Sequence, residues 1–69
     1  MKIDITINDS TFEIDSGSNL EQILIQYGIT DFKGLAVAES NKVIPRSKWS
    51  QFIAQENSNL LLITAAQGG

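Results

Sequence analysis

Neither cysteine nor histidine occurs anywhere in the 69 residues, proline and tryptophan occur once each, and no apolar run approaches the ~20 residues of a membrane span. The missing cysteines exclude a disulfide framework and any thiolate metal site, so packing alone must hold the domain. The missing histidines remove the side chain most often used for proton transfer near neutral pH. Nucleophilic catalysis would need an activated serine or lysine, but the serines fall mostly in predicted turns and caps, where they serve the backbone. Catalysis by the chain itself is therefore not expected. Cations are also scarce: five against eight acids, for a net charge of −3. Only Lys42, Arg46 and Lys48 lie near one another in sequence, which argues against nucleic acid, since phosphate binding needs a clustered basic face. A protein partner is the better expectation. The glycines at 17, 28 and 34 match neither phosphate-loop spacing. Met1-Lys2-Ile3-Asp4 brings an acid at once, unlike a signal peptide, so the chain reads as cytoplasmic.

What is present is aliphatic, with 42% apolar residues against 19% charged, a globular balance. At this length one domain with one small core is possible, and only about 60% of the unfolded surface can be buried. Ile3, Ile5 and Ile7 alternate with Asp4, Thr6 and Asn8, and after the turn cluster Asn8-Asp9-Ser10, Phe12 and Ile14 alternate with Glu13 and Asp15. This period of two predicts a β-hairpin with one buried face. Asp4 and Glu13 could meet across it as charges on its solvated side. Ser18 and Glu21 have capping-box spacing, and Leu20, Ile23, Leu24 and Tyr27 form the stripe of an amphipathic helix over about 19–27, with Gly28 suited to the left-handed position past its end.

A second, shorter hairpin is predicted from Leu35–Glu39, a Ser40-Asn41 turn and Lys42–Ile44, stopped by Pro45, which has no N–H to donate. Ser47 could cap a single turn holding Trp49, with the indole, Phe52 and Ile53 covering one end of the core. Glu56–Asn59 is polar and turn-like. Leu60-Leu61-Leu62-Ile63 is a continuous apolar run, the mark of a central strand. These elements predict an α+β fold in which one mixed sheet of four to five strands covers one helix, the last strand parallel to the first. Residues 1–65 would form the domain and 66–69 a flexible tail. Side chains alternate across a strand, so either Leu60 and Leu62 or Leu61 and Ile63 face the helix, and the other pair forms an apolar patch on the open face. Such a patch marks a protein interface. Leu61 and Ile63 are the candidate docking residues, and with them Arg46, which reads either as a contact for an acidic patch on a partner or as a surface cation of the Pro45-Arg46 turn.

The chain ends Ala65-Ala66-Gln67-Gly68-Gly69. Five extended residues reach about 17 Å, and terminal glycine offers an unhindered carboxylate for close approach in another protein's active site. On that reading Gln67 and Gly68 would lie along that site and the Gly69 carboxylate would be the reacting group; the alternative reading is a frayed end or a cloning remnant, since termini are usually disordered.

Two hairpins around a helix, the segment Asn41-Lys42-Val43-Ile44-Pro45-Arg46-Ser47-Lys48-Trp49 and a last apolar strand running into Gly68-Gly69 resemble the ThiS family of thiamine-biosynthesis sulfur carriers, which have the ubiquitin-like β-grasp fold. The resemblance covers essentially the whole chain. Asn57-Ser58-Asn59 departs from it, since relatives commonly carry Gly-Asp there. The resemblance implies that an E1-like adenylyltransferase, using ATP and Mg²⁺, activates the Gly69 carboxylate as an acyl-adenylate. Sulfur from a donor protein such as a cysteine desulfurase would then give a thiocarboxylate for thiazole synthase to consume. The carrier itself would bind no cofactor. The small subunit of molybdopterin synthase resembles the chain in fold and ending, but its relatives usually lack Pro-Arg-x-x-Trp. A ubiquitin-like interaction module without sulfur chemistry is the remaining alternative.

Overall fold

The computed structural model describes residues 1–64; the predicted tail, 66–69, with its candidates Gln67, Gly68 and Gly69, lies outside the described residues. The alternating isoleucines form β1 (Lys2–Ile7), which pairs antiparallel with β2 (Ser10–Asp15). The Asn8-Asp9 turn between them has φ of 51° and 69°, the left-handed pair that a two-residue hairpin needs and that Asn and Asp tolerate. Helix α1 (Leu20–Tyr27) follows, then β3 (Leu35–Glu39), β4 (Lys42–Ile44), the 3₁₀ turn η1 (Arg46–Lys48) and β5 (Asn59–Thr64). The sheet order is β2-β1-β5-β3-β4, with β5 central. β5 runs parallel to β1 and antiparallel to β3. This is the β-grasp arrangement, with five strands.

The helix begins one residue later than its sequence signals suggest, and its capping box is shifted with it. Asn19, not Ser18, is the N-cap: its Oδ1 accepts from Gln22 N–H at 2.9 Å, and Gln22 Oε1 accepts from Asn19 N–H at 2.8 Å. Ser18 is buried and serves the hairpin, donating to Asp15 O at 2.8 Å and accepting from Gln26 Nε2 at 2.9 Å. Two residues could cap, and Ser18 already had a tertiary partner. Gly28 ends the helix at φ 109°, where its N–H donates to Ile25 O.

Leu20, Ile23 and Leu24 pack on Ile5, Ile7, Ile14, Val37 and Leu60 in one core. Trp49 is 1% exposed and belongs to that core. Phe52 packs at the core's margin as expected, but Ile53, whose backbone bridges to Asn19, is exposed. Ser47 makes no cap; the N-cap position of η1 is Pro45, which carries no capping side chain. Asn59, expected in a turn, opens β5.

Candidate functional site: the end and open face of the central strand

β5 alternates as its sequence requires. Leu60 is fully buried and Leu62 packs against the core, whereas Leu61 is 49% and Ile63 48% exposed. Of the two possible orientations, the fold thus takes the one that places Leu61 and Ile63 on the open face. The reason is register, since Ile7 beside Leu60 keeps both side chains toward the helix.

Register also brings in a residue that the sequence reading missed. Ala38 lies opposite Leu61 on one side and Val43 on the other, so Val43, Ala38 and Leu61 form one row across three strands. Ala36 and Ile63 form the next. Val43 is 70% exposed, and Ala38, though on the open face, is buried between its two larger neighbours. Val43 could have been found from its place in the hairpin, one residue from Ile44 and hence on the other face. The rest of the open face is polar. Asp4 lies directly opposite Glu13, and Thr6 opposite Thr11. Glu56 Oε2 accepts from Asp4 N–H at 3.3 Å, adding a third carboxylate. No group of three or more potential metal ligands occurs among the described residues. The face is half apolar, half acidic, and suits a partner with an apolar surface edged by cations.

Lys2 and Asp15 close the far end of the first hairpin as the one ion pair among the described residues. Their mutual hydrogen bond, reinforced by charge attraction, holds the Asp15 carboxyl below and the Lys2 ammonium above its ordinary range.

The opposite end of the sheet is cationic. Thr64, the last described residue, lies opposite Leu35, and Leu35 N–H donates to Phe32 O at 3.1 Å. Arg46 Nη1 contacts the same Phe32 carbonyl at 3.5 Å, and its guanidinium stands 5.5 Å from the Phe32 ring centroid and 4.9 Å from that of Trp49. The two rings meet edge to face at 5.7 Å. Arg46 is therefore fixed at the end of the sheet from which β5 continues into the last five residues. Lys33, next to Phe32, and Lys48, in η1, carry further charge on the same two segments. The structure thus brings Leu61 and Ile63 together on the open face and places Arg46 at the strand's exit end, separate from that patch.

Comparison with known proteins agrees with this geometry. The ThiS family profile matches residues 3–69. The chain is 29% identical over 65 residues to the sulfur carrier protein ThiS of Escherichia coli K12, covering 94% of this chain and 97% of that one. In fold it resembles the crystal structure of a thiamine biosynthesis protein, ThiS, from Geobacter metallireducens, with a TM-score of 0.82 at 14% identity over 97% of this chain and all of that one. A solution structure of a thiamine biosynthesis protein from the same organism gives 0.77 at 16% identity, covering 97% and 88%. With the profile spanning nearly every residue and running to the final glycine, the chain belongs to the ThiS family.

Proposed function

We propose that the chain is a sulfur carrier of thiamine biosynthesis, in which Gly69 is the loaded residue and the folded domain is the handle by which other proteins hold it. The observation that carries this reading is the family match reaching residue 69, so that Gly68-Gly69 fall within it. A free carboxylate is a poor acyl donor. An E1-like adenylyltransferase would join a Gly69 carboxylate oxygen to the α-phosphorus of ATP, with Mg²⁺ as its metal and pyrophosphate leaving. The terminal sulfur of a persulfide on a donor protein such as a cysteine desulfurase would then attack the acyl carbon and expel AMP, and a thiol would attack the donor-side sulfur of the acyl disulfide so formed, leaving a mixed disulfide on the donor and releasing the thiocarboxylate. The resulting thiocarboxylate is the form from which thiazole synthase would draw sulfur. The carrier contributes the acyl end and recognition but no catalytic group, and binds no cofactor of its own.

The open face fits the recognition role: Leu61, Ile63 and Val43 supply the apolar contact, Asp4 and Glu13 the complementary charge, and Arg46 a second contact at the strand's end. The test is incubation of the chain with the adenylyltransferase, ATP, Mg²⁺ and a sulfur source, followed by mass spectrometry. One oxygen exchanged for sulfur at the C-terminus is the expected result, with subsequent loss of that sulfur to thiazole synthase. A chain lacking Gly69, or extended past it, should show no exchange. Exchange that persists without Gly69 overturns the assignment.

A further inference from the structure

β1 accompanies β5 for two residues only, Thr6 beside Asn59 and Ile7 beside Leu60. On that side Thr6 N–H donates to Ser58 O at 2.8 Å and Asn8 N–H to Leu60 O at 3.0 Å. β1 then turns away at Asn8-Asp9 to begin β2. The next donor along β5, Leu62 N–H, meets a side chain where a strand would otherwise be: Asn8 Oδ1 accepts it at 2.8 Å. Main-chain groups of successive strand residues point to opposite edges. Leu60 O and Leu62 N–H face the hairpin, so Leu62 O and Thr64 N–H face it too. Leu61 and Ile63 turn theirs toward Ala38 and Ala36 of β3. Among the described residues no strand lies beside Leu62 O and Thr64 N–H. Leu62–Thr64 of β5 is thus paired with β3 along one edge and, among the described residues, has no strand along the other.

An open edge of alternating donors and acceptors accepts an extended segment by strand addition, with main-chain bonds giving affinity and alternate side chains giving specificity. Sheets protect such edges with charges, proline or bulges, and Leu62-Ile63-Thr64 carries neither charge nor proline. We propose that the protein receiving the C-terminal carboxylate lays an extended segment of its own along the Leu62–Thr64 edge of β5, so that β5 is held between β3 and a partner strand. This rests on the carrier reading above. The carrier reading points to that occupant: the family match continues past Thr64 to Gly69, so a strand bound here runs toward the proposed reacting group, about 17 Å further on if the chain is extended. Fixing the direction of β5 at its exit would remove part of the orientational search that otherwise opposes placement of a free end. Leu61 and Ile63, on the open face of the same stretch, would be contacted by the same partner.

Thr64 N–H serves no bond in the ladder with β3, which makes it a clean probe. Amide hydrogen exchange is measured on the full chain, alone and bound to the adenylyltransferase. Thr64 should exchange fast alone and at least about tenfold slower in the complex, the protection expected of a formed main-chain bond, whereas Ile63, paired with Ala36, should be protected in both. Thr64→Pro, which deletes the donor, should raise the KM for the carrier about five- to tenfold, the size of a net hydrogen bond. Thr64→Ala, which keeps it, should stay within about twofold. An unprotected Thr64 amide in a complex that does form overturns strand addition, as do equal effects of proline and alanine. Protection of Thr64 in the free chain together with a dimer in sedimentation also overturns it, by giving the edge to a second copy. Failure of the wild-type chain to be activated at all is a different result, which removes the carrier reading and this proposal with it.

Discussion

The indole Nε1 of Trp49 donates to the carbonyl of Ile44 at 2.9 Å, tying the turn after Pro45 back to the last residue of β4. Pro45 ends the ladder, η1 reverses the chain, and Trp49 N–H donates to Arg46 O at 3.1 Å as the ring enters the core. The spacing Pro-Arg-x-x-Trp is thus the length of one tight turn, and it sets Arg46 on the face of the ring that the turn delivers. Trp49→Phe removes the donor to Ile44 and part of the ring volume. A loss of about 2–3 kcal/mol is expected from the stranded carbonyl and the residual cavity together. Denaturant unfolding followed by circular dichroism measures it.

Exposure separates binding from stability along β5. Leu61→Glu and Ile63→Glu place a charge on the open face without entering the core, so the melting temperature should change little. Partner affinity should fall about tenfold or more if these are anchor residues of the interface. Leu60→Ala, one residue away on the buried face, should instead cost about 2–5 kcal/mol of stability. Titration calorimetry against the adenylyltransferase, paired with thermal melts, tells the two faces apart. Unchanged affinity in both glutamate variants would remove the open face from the interface.

Most of this fold was legible because its signals are local. Alternating isoleucines, an Asn-Asp turn, the stripe from Leu20 to Tyr27 and the apolar run of β5 each declare an element within a few residues. What escaped depended on contacts between distant segments. Ser18 and Asn19 are both good caps by type, and the hairpin's demand on Ser18 through Asp15 and Gln26 decided between them. Ile53 looks like a core residue in sequence, but its side chain is exposed where its backbone bridges to Asn19. The choice between Leu61 and Leu62 as the outward residue was open until the pairing of Leu60 with Ile7 was known. Asn8 reads as a turn former, and nothing local announces that its side chain also caps Leu62, 54 residues on.

The Lys2–Asp15 pair gives the first hairpin a defined pH response. Asp15 is held below its ordinary 3.8 by the hydrogen bond to Lys2, so its contribution is present above that value and is lost as pH falls through the lowered one. Lys2 is raised above 10.5 by the same bond, so its contribution is present below 10.5 and is lost as pH rises through the raised value. Between about pH 4 and 10 the pair acts at full strength. Lys2→Met should therefore melt slightly below wild type across that range and converge with it at the acid end. Both groups are exposed, so 1 M salt, where the screening length is about 3 Å, should erase most of the difference at neutral pH. A salt-independent offset would mean that Lys2 acts through packing of its aliphatic stem.

Arg46 should report on the partner chiefly through kinetics. Its guanidinium is packed over Trp49 and Phe32 while remaining exposed at the end of the sheet where β5 continues. Arg46→Met keeps an unbranched chain over the rings and removes the charge. The lost cation–π contact is expected to cost about 0.5–1 kcal/mol. If the cation also meets acidic groups on the adenylyltransferase, association should slow and its salt dependence should become shallower, because steering is a screened, long-range effect. Arg46→Lys restores the charge but not the planar stack, so it should recover most of the association rate while remaining nearer Met in stability. Stopped-flow association across a salt series reads both effects. A salt slope for Arg46→Met equal to that of wild type would confine Arg46 to holding Trp49 and Phe32 in place, and leave recognition to the open face alone.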